Sequence, residues 1–249
     1  MGGKNIPLRP IFRAAAACFL GLAAALLLCP GPDLPAVSAD AWQSAAPGGQ
    51  KLIALTFDDG PRRSTTAALL DGLAERGVKA TFFLIGEQIT DNADLVRRMA
   101  EEGHQLGIHT YDHVPLTGLN QADFSAQVDR TRKLLTLLTG QTDFVLRPPY
   151  GLTDAGVKAK AGAPIILWSI DPEDWKYKDA VREADHIVSQ AQDGSIILLH
   201  DIYPASVEAA LRAVDALHAQ GYLFCTVDEL FSLRQLPLEN GQVYRHACP

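Results

Sequence analysis

Three scarcities bound what this chain can be. Its 249 residues include four cysteines, and two of them, Cys18 and Cys29, lie in an N-terminal stretch unlike the rest. Only Cys225 and Cys248 remain, too few for a disulfide framework. In an oxidising compartment these two could pair and tie down the C-terminal residues. Cys225 sits in an apolar, strand-like run, however, and suits a buried thiol equally well. Positive charge is also in deficit. With 22 Lys and Arg against 29 Asp and Glu the net charge is -7, which argues against binding to nucleic-acid phosphates. Long apolar runs are missing too. The stretch Ala14 to Cys29 has sixteen residues, short of the roughly 20 that span a bilayer. There are no internal repeats, charge blocks or low-complexity tracts, and no feature that sets an oligomeric state. What the chain does have is apolar material, 47 % of its residues, enough for a sizeable core in one large domain or two small ones.

The first fifty residues stand apart. Lys4, Arg9 and Arg13 precede the apolar run, and Pro30, Gly31, Pro32 and Pro35 follow it, ahead of Ala36-Val37-Ser38-Ala39. A basic start, a short apolar core and small residues before a cut describe a secretory signal over 1–39, cleaved after Ala39. The expected destination is the periplasm, cell surface or medium. The alternative is an uncleaved anchor, which would then be the protein's contact with a membrane. Residues 40–50 read as a flexible lead-in, 51–233 as the main folded domain and 234–249 as a tail.

From Lys51 onward, apolar runs alternate with helix-like segments. The first run, Lys51 to Phe57, reads as a strand buried on both faces. Further strands are expected at Ala80–Ile85, Gln105–Ile108, Asp143–Leu146, Pro164–Ile170, Ser195–Leu199 and Tyr222–Val227. Helices lie between them, and six of these close on glycine, the residue that accepts left-handed geometry at a helix C-terminus. Strict alternation implies a parallel sheet with right-handed crossovers. Seven such units could form an open sheet or a barrel. The reactive residues favour an α/β fold of the distorted (β/α) barrel type with about seven parallel strands, because they follow five different strands on the C-terminal side. Only a barrel gathers those ends around one mouth.

Those residues come in five groups. Asp58 and Asp59 follow the first strand, where two adjacent carboxylates repel each other and lose solvation unless a cation or shared proton relieves them. His109 and His113 follow the third; two histidines four apart face one way if the turn between them is helical. One carboxylate and two imidazoles make a divalent-metal site with open positions. Taken alone, each group also fits an ordinary polar loop; their shared rim favours the metal. Arg147 follows the fourth strand in a turn stiffened by Pro148 and Pro149, placed to fork onto a carboxylate. Asp171, Asp174 and Trp175 follow the fifth. His200, at the end of the sixth, is a candidate general acid.

Thr56-Phe57-Asp58-Asp59-Gly60-Pro61, His109-Thr110-x-x-His113, Arg147-x-Pro149-Tyr150, Asp171-x-x-Asp174-Trp175 and Leu198-x-His200 resemble the five ordered motifs of the polysaccharide deacetylases, the NodB homology domain. The resemblance covers about Lys51 to Phe231. It implies a metal-dependent hydrolase that removes acetyl groups from sugar polymers, with an acetylated polysaccharide as partner and a divalent ion, zinc first and cobalt second, as cofactor. It casts Asp58 as general base and Asp59, His109 and His113 as metal ligands. Arg147 would orient Asp58, and the Tyr150 backbone N–H would bind the oxyanion. Asp171 would pair with His200, while Trp175 and Leu198 would wall the acetyl pocket. Ile108 departs from the family's frequent Asn before the first metal histidine. Three other readings share these residues: an O-acetyl esterase, a non-haem iron oxygenase built on two histidines and a carboxylate, and a carbohydrate-binding domain without catalysis. The oxygenase has no task for the second aspartate or for His200. The binding domain would be expected to have lost a ligand or the acid.

Overall fold

The strand that carries the two aspartates is the centre of the sheet. A computed structural model describes residues 49–248, so the proposed signal, most of the lead-in and Pro249 lie outside the described residues. Strand β1 (Lys51–Asp58) is buried at every position after Lys51. One of its edges pairs with β6 (Ser195–His200) from Ile53 to Asp58. The other edge is shared: β7 (Tyr222–Cys225) takes Lys51 to Ala54, and β2 (Thr81–Leu84) takes Thr56 to Asp58. From β2 the sheet continues through β3 (Gln105–Ile108), β4 (Val145–Leu146) and β5 (Ile165–Ile166), with every pairing parallel. A run buried on both faces was expected of β1, and its three strand neighbours are the reason.

Around the sheet stand α1 (Arg63–Glu75), α2 (Gly86–Ile89), α3 (Ala93–Glu101), α4 (Gln121–Thr139), α5 (Ala155–Lys160), α6 (Asp174–Tyr177), α7 (Ala180–Gln190), α8 (Pro204–Ala219) and α9 (Val227–Leu233). Between β2 and β3 the helical segment is broken, with α2 and a 3₁₀ turn at Thr90–Asn92 ahead of α3. Helix α4 shows how local sequence sets these limits. The Asn120 side chain accepts from Asp123 N at its start, and Gly140 closes it at φ 74°, its N–H bonded to Thr136 O. Apolar side chains of the helices and the outer face of the sheet form the main core, which includes Phe57, Phe82, Leu70, Val128 and Val214. A smaller cluster around Ala54, Phe83, Ile166, Ile196 and Phe231 forms a second apolar layer.

Two features depart from the sequence reading. The fifth strand, expected over Pro164–Ile170, is regular only at Ile165–Ile166, because the chain changes partners. Leu167 N still bonds to Tyr244 O at 2.7 Å, whereas Ser169 N bonds to Ile196 O at 3.0 Å and Ile170 bridges Ile197. The tail supplies an eighth strand, β8 (Val243–Tyr244), alongside β5; just beyond it His246 bridges Ser195 of β6 in the antiparallel sense. The curled sheet is thus joined between β5 and β6 by Ile170 on one level and by the tail on another. A distorted (β/α) barrel results. The two cysteines are not paired. Cys225 Sγ lies 3.7 Å from Ile53 O and Cys248 Sγ lies 3.2 Å from Asp193 O.

Candidate active site

At the C-terminal rim the chain leaves its strands through loops that left-handed residues bend sharply. Seven non-glycine residues among those described have positive φ, and five of them, Asp59, Thr110, His113, Tyr150 and Glu173, lie in the loops after β1, β3, β4 and β5. Such backbone is uncommon and tends to cluster where a site fixes side-chain direction. Here it turns neighbouring residues toward one cavity of about 470 Å³. Its lining includes Asp58, Asp59, His109, His113, Tyr150, Trp168, Asp171, Trp175, Leu198 and His200.

Asp58 ends β1 in register with His200 of β6, which brings base and acid candidates onto adjacent strands. The next residue, Asp59, has φ 71°, and this reversal separates the two carboxylates. Asp58 turns inward to Arg147, whose Nη1 donates to its Oδ1 at 2.7 Å and also bonds to Thr56 Oγ1 at 2.8 Å. The fully buried guanidinium also donates from Nε to Ile166 O at 3.0 Å and from Nη2 to Leu167 O at 3.1 Å, and it stacks 4.0 Å above the Phe83 ring. Burial pulls the Arg147 pKa down, and Asp58 opposes that.

Asp59 faces the histidines. Its Oδ1 lies 3.4 Å from His109 Nε2 and 3.3 Å from His113 Nε2, and it is buried with no hydrogen-bond partner. His109 Nδ1 donates to Arg147 O at 2.7 Å; since a carbonyl can only accept, Nε2 is left with its lone pair toward Asp59. Burial lowers the His109 pKa and favours this neutral form. A solvent-shielded carboxylate oxygen without a partner, facing two imidazole nitrogens, is a donor set suited to a divalent metal, and the three residues form a cluster that could hold one. Convergence does not come from a helical turn, as the spacing suggested. Thr110 and His113 are both left-handed, with φ 65° and 60°, and bring the rings to a centroid separation of 5.1 Å.

On the facing side His200 corrects the expected pairing. Its partner is Asp174, not Asp171. Asp174 Oδ1 accepts from His200 Nδ1 at 2.7 Å and Oδ2 accepts from the His200 backbone N–H at 2.8 Å. The left-handed Glu173 (φ 55°) starts α6 and swings Asp174 fully out of solvent. Asp171 instead accepts from Glu173 N at 2.9 Å, an aspartate turn that builds this corner, and it stays on the cavity wall. Burial disfavours the His200 charge, but the Asp174 hydrogen bond and charge, helped by Asp58 and Asp59, outweigh it and raise the pKa to about 9. The ring is therefore cationic at neutral pH.

Tyr150 sits at φ 60° in the Pro149–Gly151 turn, whose bonds are donated by Gly151 and Leu152 to Pro148 and Pro149 O. Neither uses the Tyr150 N–H. Its exposed ring meets His113 edge-on at 4.9 Å. Trp175, half exposed, and buried Leu198 stand on the cavity wall. Trp168 joins them, a residue the sequence reading passed over because it lay inside an expected strand. A half-buried histidine on a buried carboxylate, an aspartate held by a buried arginine and a metal-type donor set thus line one cavity of a (β/α) barrel.

Comparison with known proteins places the chain more narrowly. A sequence model of the family described as polysaccharide deacetylase matches residues 45–163. The peptidoglycan-N-acetylglucosamine deacetylase PgdA of Listeria monocytogenes is 43% identical over 194 residues, which is 78% of this chain and 41% of that protein. The chain thus spans about two-fifths of that relative's length. The solved structure of T48 deacetylase with substrate superposes with a TM-score of 0.75 at 38% identity, covering 78% of this chain and 96% of that one. A family 4 acetyl xylan esterase from Clostridium thermocellum, in complex with a cobalt ion, gives a TM-score of 0.75 at 31% identity, covering 79% and 98%. The chain belongs to the polysaccharide deacetylase family.

Proposed function

We propose that the protein is a metal-dependent hydrolase that removes N-acetyl groups from an acetylated polysaccharide. The observation that carries this is the division of the rim: Asp58 on Arg147, His200 on Asp174, and the Asp59, His109 and His113 cluster between them. These three would hold the metal, zinc or cobalt by their imidazole-and-carboxylate character, and the ion would supply Lewis-acid polarisation of water and carbonyl. Asp58, held in place by Arg147, accepts a proton from the water that attacks the acetyl carbon. The Tyr150 N–H donates to the carbonyl oxygen as charge develops there, the kind of contact worth about 3 kcal/mol per donor. Trp168, Trp175 and Leu198 enclose the methyl group and exclude bulk water. As the C–N bond breaks, cationic His200 gives its Nε2 proton to the leaving nitrogen, and Asp174 stabilises the charge before transfer. The products are acetate and a free amine.

An amine leaves poorly without that proton, so the high His200 pKa favours N-deacetylation. O-deacetylation by the same residues is the second reading, motivated by the likeness to the acetyl xylan esterase. Export led by residues 1–39 belongs to the same proposal, supported by the basic start, the apolar run and Val37-Ser38-Ala39. The test is acetate release from N-acetylated glycans, peptidoglycan included, and from acetylated xylan, with and without a chelator. Release from the amide substrates, abolished by chelation and restored by zinc or cobalt, is expected. Release only from xylan supports the esterase reading. Undiminished turnover in protein shown to be metal-free would overturn the metal role.

A further inference from the structure

The loop that carries His109 and His113 is not held by its own backbone. Between the two histidines the chain makes no turn of helix, Thr110 and His113 are left-handed, and the intervening N–H groups of Tyr111 and Asp112 are bonded from outside the loop. Helix α4 meets them. Gln127 Oε1 accepts from both Tyr111 N at 3.0 Å and Asp112 N at 3.2 Å. One turn along the same helix, buried Thr131 donates from Oγ1 to Thr110 O at 3.0 Å, and between them the Arg130 guanidinium lies 3.4 Å over the Tyr111 ring. From the opposite side α2 adds Gly86 N to Thr110 O at 3.0 Å and Glu87 N to Tyr111 O at 2.8 Å. Gln127 does not line the cavity. It is a polar residue on a helix face whose amide oxygen is spent on two backbone donors, one and two residues before His113.

We infer that Gln127 is a positioning residue for the metal site. By accepting both N–H groups it sets the direction in which the loop delivers His113 Nε2 to Asp59 Oδ1, 3.3 Å away. The inference rests on the metal reading above and adds to it the part that orients the second histidine. His109 is already fixed by the Arg147 carbonyl. His113 has no such bond to its ring among the described residues, so its aim depends on the backbone that Gln127 holds. Groups that orient ligands from behind change metal affinity by about 10- to 100-fold when lost.

The test uses the whole chain and zinc ion alone, with affinity read by competition against a chromogenic chelator. Gln127→Leu keeps the side-chain bulk and removes the acceptor; Gln127→Glu keeps an oxygen at the same reach. Expected are zinc binding at least about tenfold weaker in Gln127→Leu, near-parental affinity in Gln127→Glu, and matching thermal unfolding of all three metal-free proteins. The visible absorption of the cobalt form should change in Gln127→Leu and not in Gln127→Glu. Parental zinc affinity in Gln127→Leu overturns the inference. So does equal loss in both variants accompanied by lower metal-free melting, which would mark Gln127 as a packing residue only. If the parent protein itself binds no zinc, it is the metal reading that falls, and this inference with it.

Discussion

Replacing Asp174 by Asn tests the corrected pairing quantitatively. Asp174 is fully buried and binds His200 twice, at Nδ1 and at the backbone N–H, so the substitution keeps shape and removes charge. Without that charge the His200 pKa should fall from about 9 toward the ordinary histidine value. A group with a pKa of about 9 is roughly nine-tenths protonated at pH 8; one at about 6.5 is roughly 3 % protonated there. The acid form thus drops about thirtyfold at pH 8 but less than twofold at pH 6. Asp58 and Asp59 contribute part of the rise, and a bound divalent ion would offset that part, so the basic limb of the loaded parent lies between these values. The sign for stability follows from the same shift. A raised histidine pKa stabilises the fold fully below about 6.5 and is lost as pH climbs through about 9. The assay is the pH profile of acetate release for both proteins, with the His200 imidazole followed by NMR. An alkaline limb moved to lower pH in Asp174→Asn is the expected result. An unchanged profile, or one moved instead by Asp171→Asn, would refute the pairing and the acid assignment that rests on it.

Other substitutions probe the supports of the rim. Arg147→Leu leaves Asp58 buried opposite no cation, so denaturant unfolding should show a loss of about 3–5 kcal/mol along with activity; parental stability would contradict the paired burial. Gly60→Ala would drive a Cβ into both carboxylate oxygens of buried Asp201, right after Asp58 and Asp59 in the chain. Overpacking of that kind costs about 1–3 kcal/mol, and an unaltered melting temperature with full turnover would refute the contact. The exported protein should begin near Asp40; an intact N-terminus on soluble cytoplasmic protein would refute export.

The barrel and most of the rim were legible because they rest on local signals. Apolar runs mark strands buried on both faces, glycine closes helices, and Asp58, His109, Arg147 and His200 fall at or just past strand ends, so alternation alone places them together. What escaped depended on backbone direction. Asp171 and Asp174 are equivalent in sequence, and only the left-handed Glu173 decides which of them turns inward to His200. Spacing suggested a helical turn between the histidines, whereas two left-handed residues do the work. Strand β8 has two half-buried residues and no periodicity to reveal it. Trp168 was hidden because the strand that should have buried it switches partners at that point. Gln127 gives no sequence signal at all, since its role is set by a helix packing across a loop.

The separation of the two neighbouring aspartates tests the account most directly, through zinc content and acetate release of Asp58→Asn and Asp59→Asn, with circular dichroism to confirm both folds. Asp59 faces the imidazoles with an unpartnered buried oxygen, while Asp58 is engaged by Arg147. Asp59→Asn should therefore lose zinc and activity together. Asp58→Asn should keep its zinc and lose about 10²–10⁴-fold in rate, the usual cost of removing a general base. A zinc-free Asp58→Asn beside a zinc-loaded Asp59→Asn, or near-parental turnover in Asp58→Asn, would contradict it.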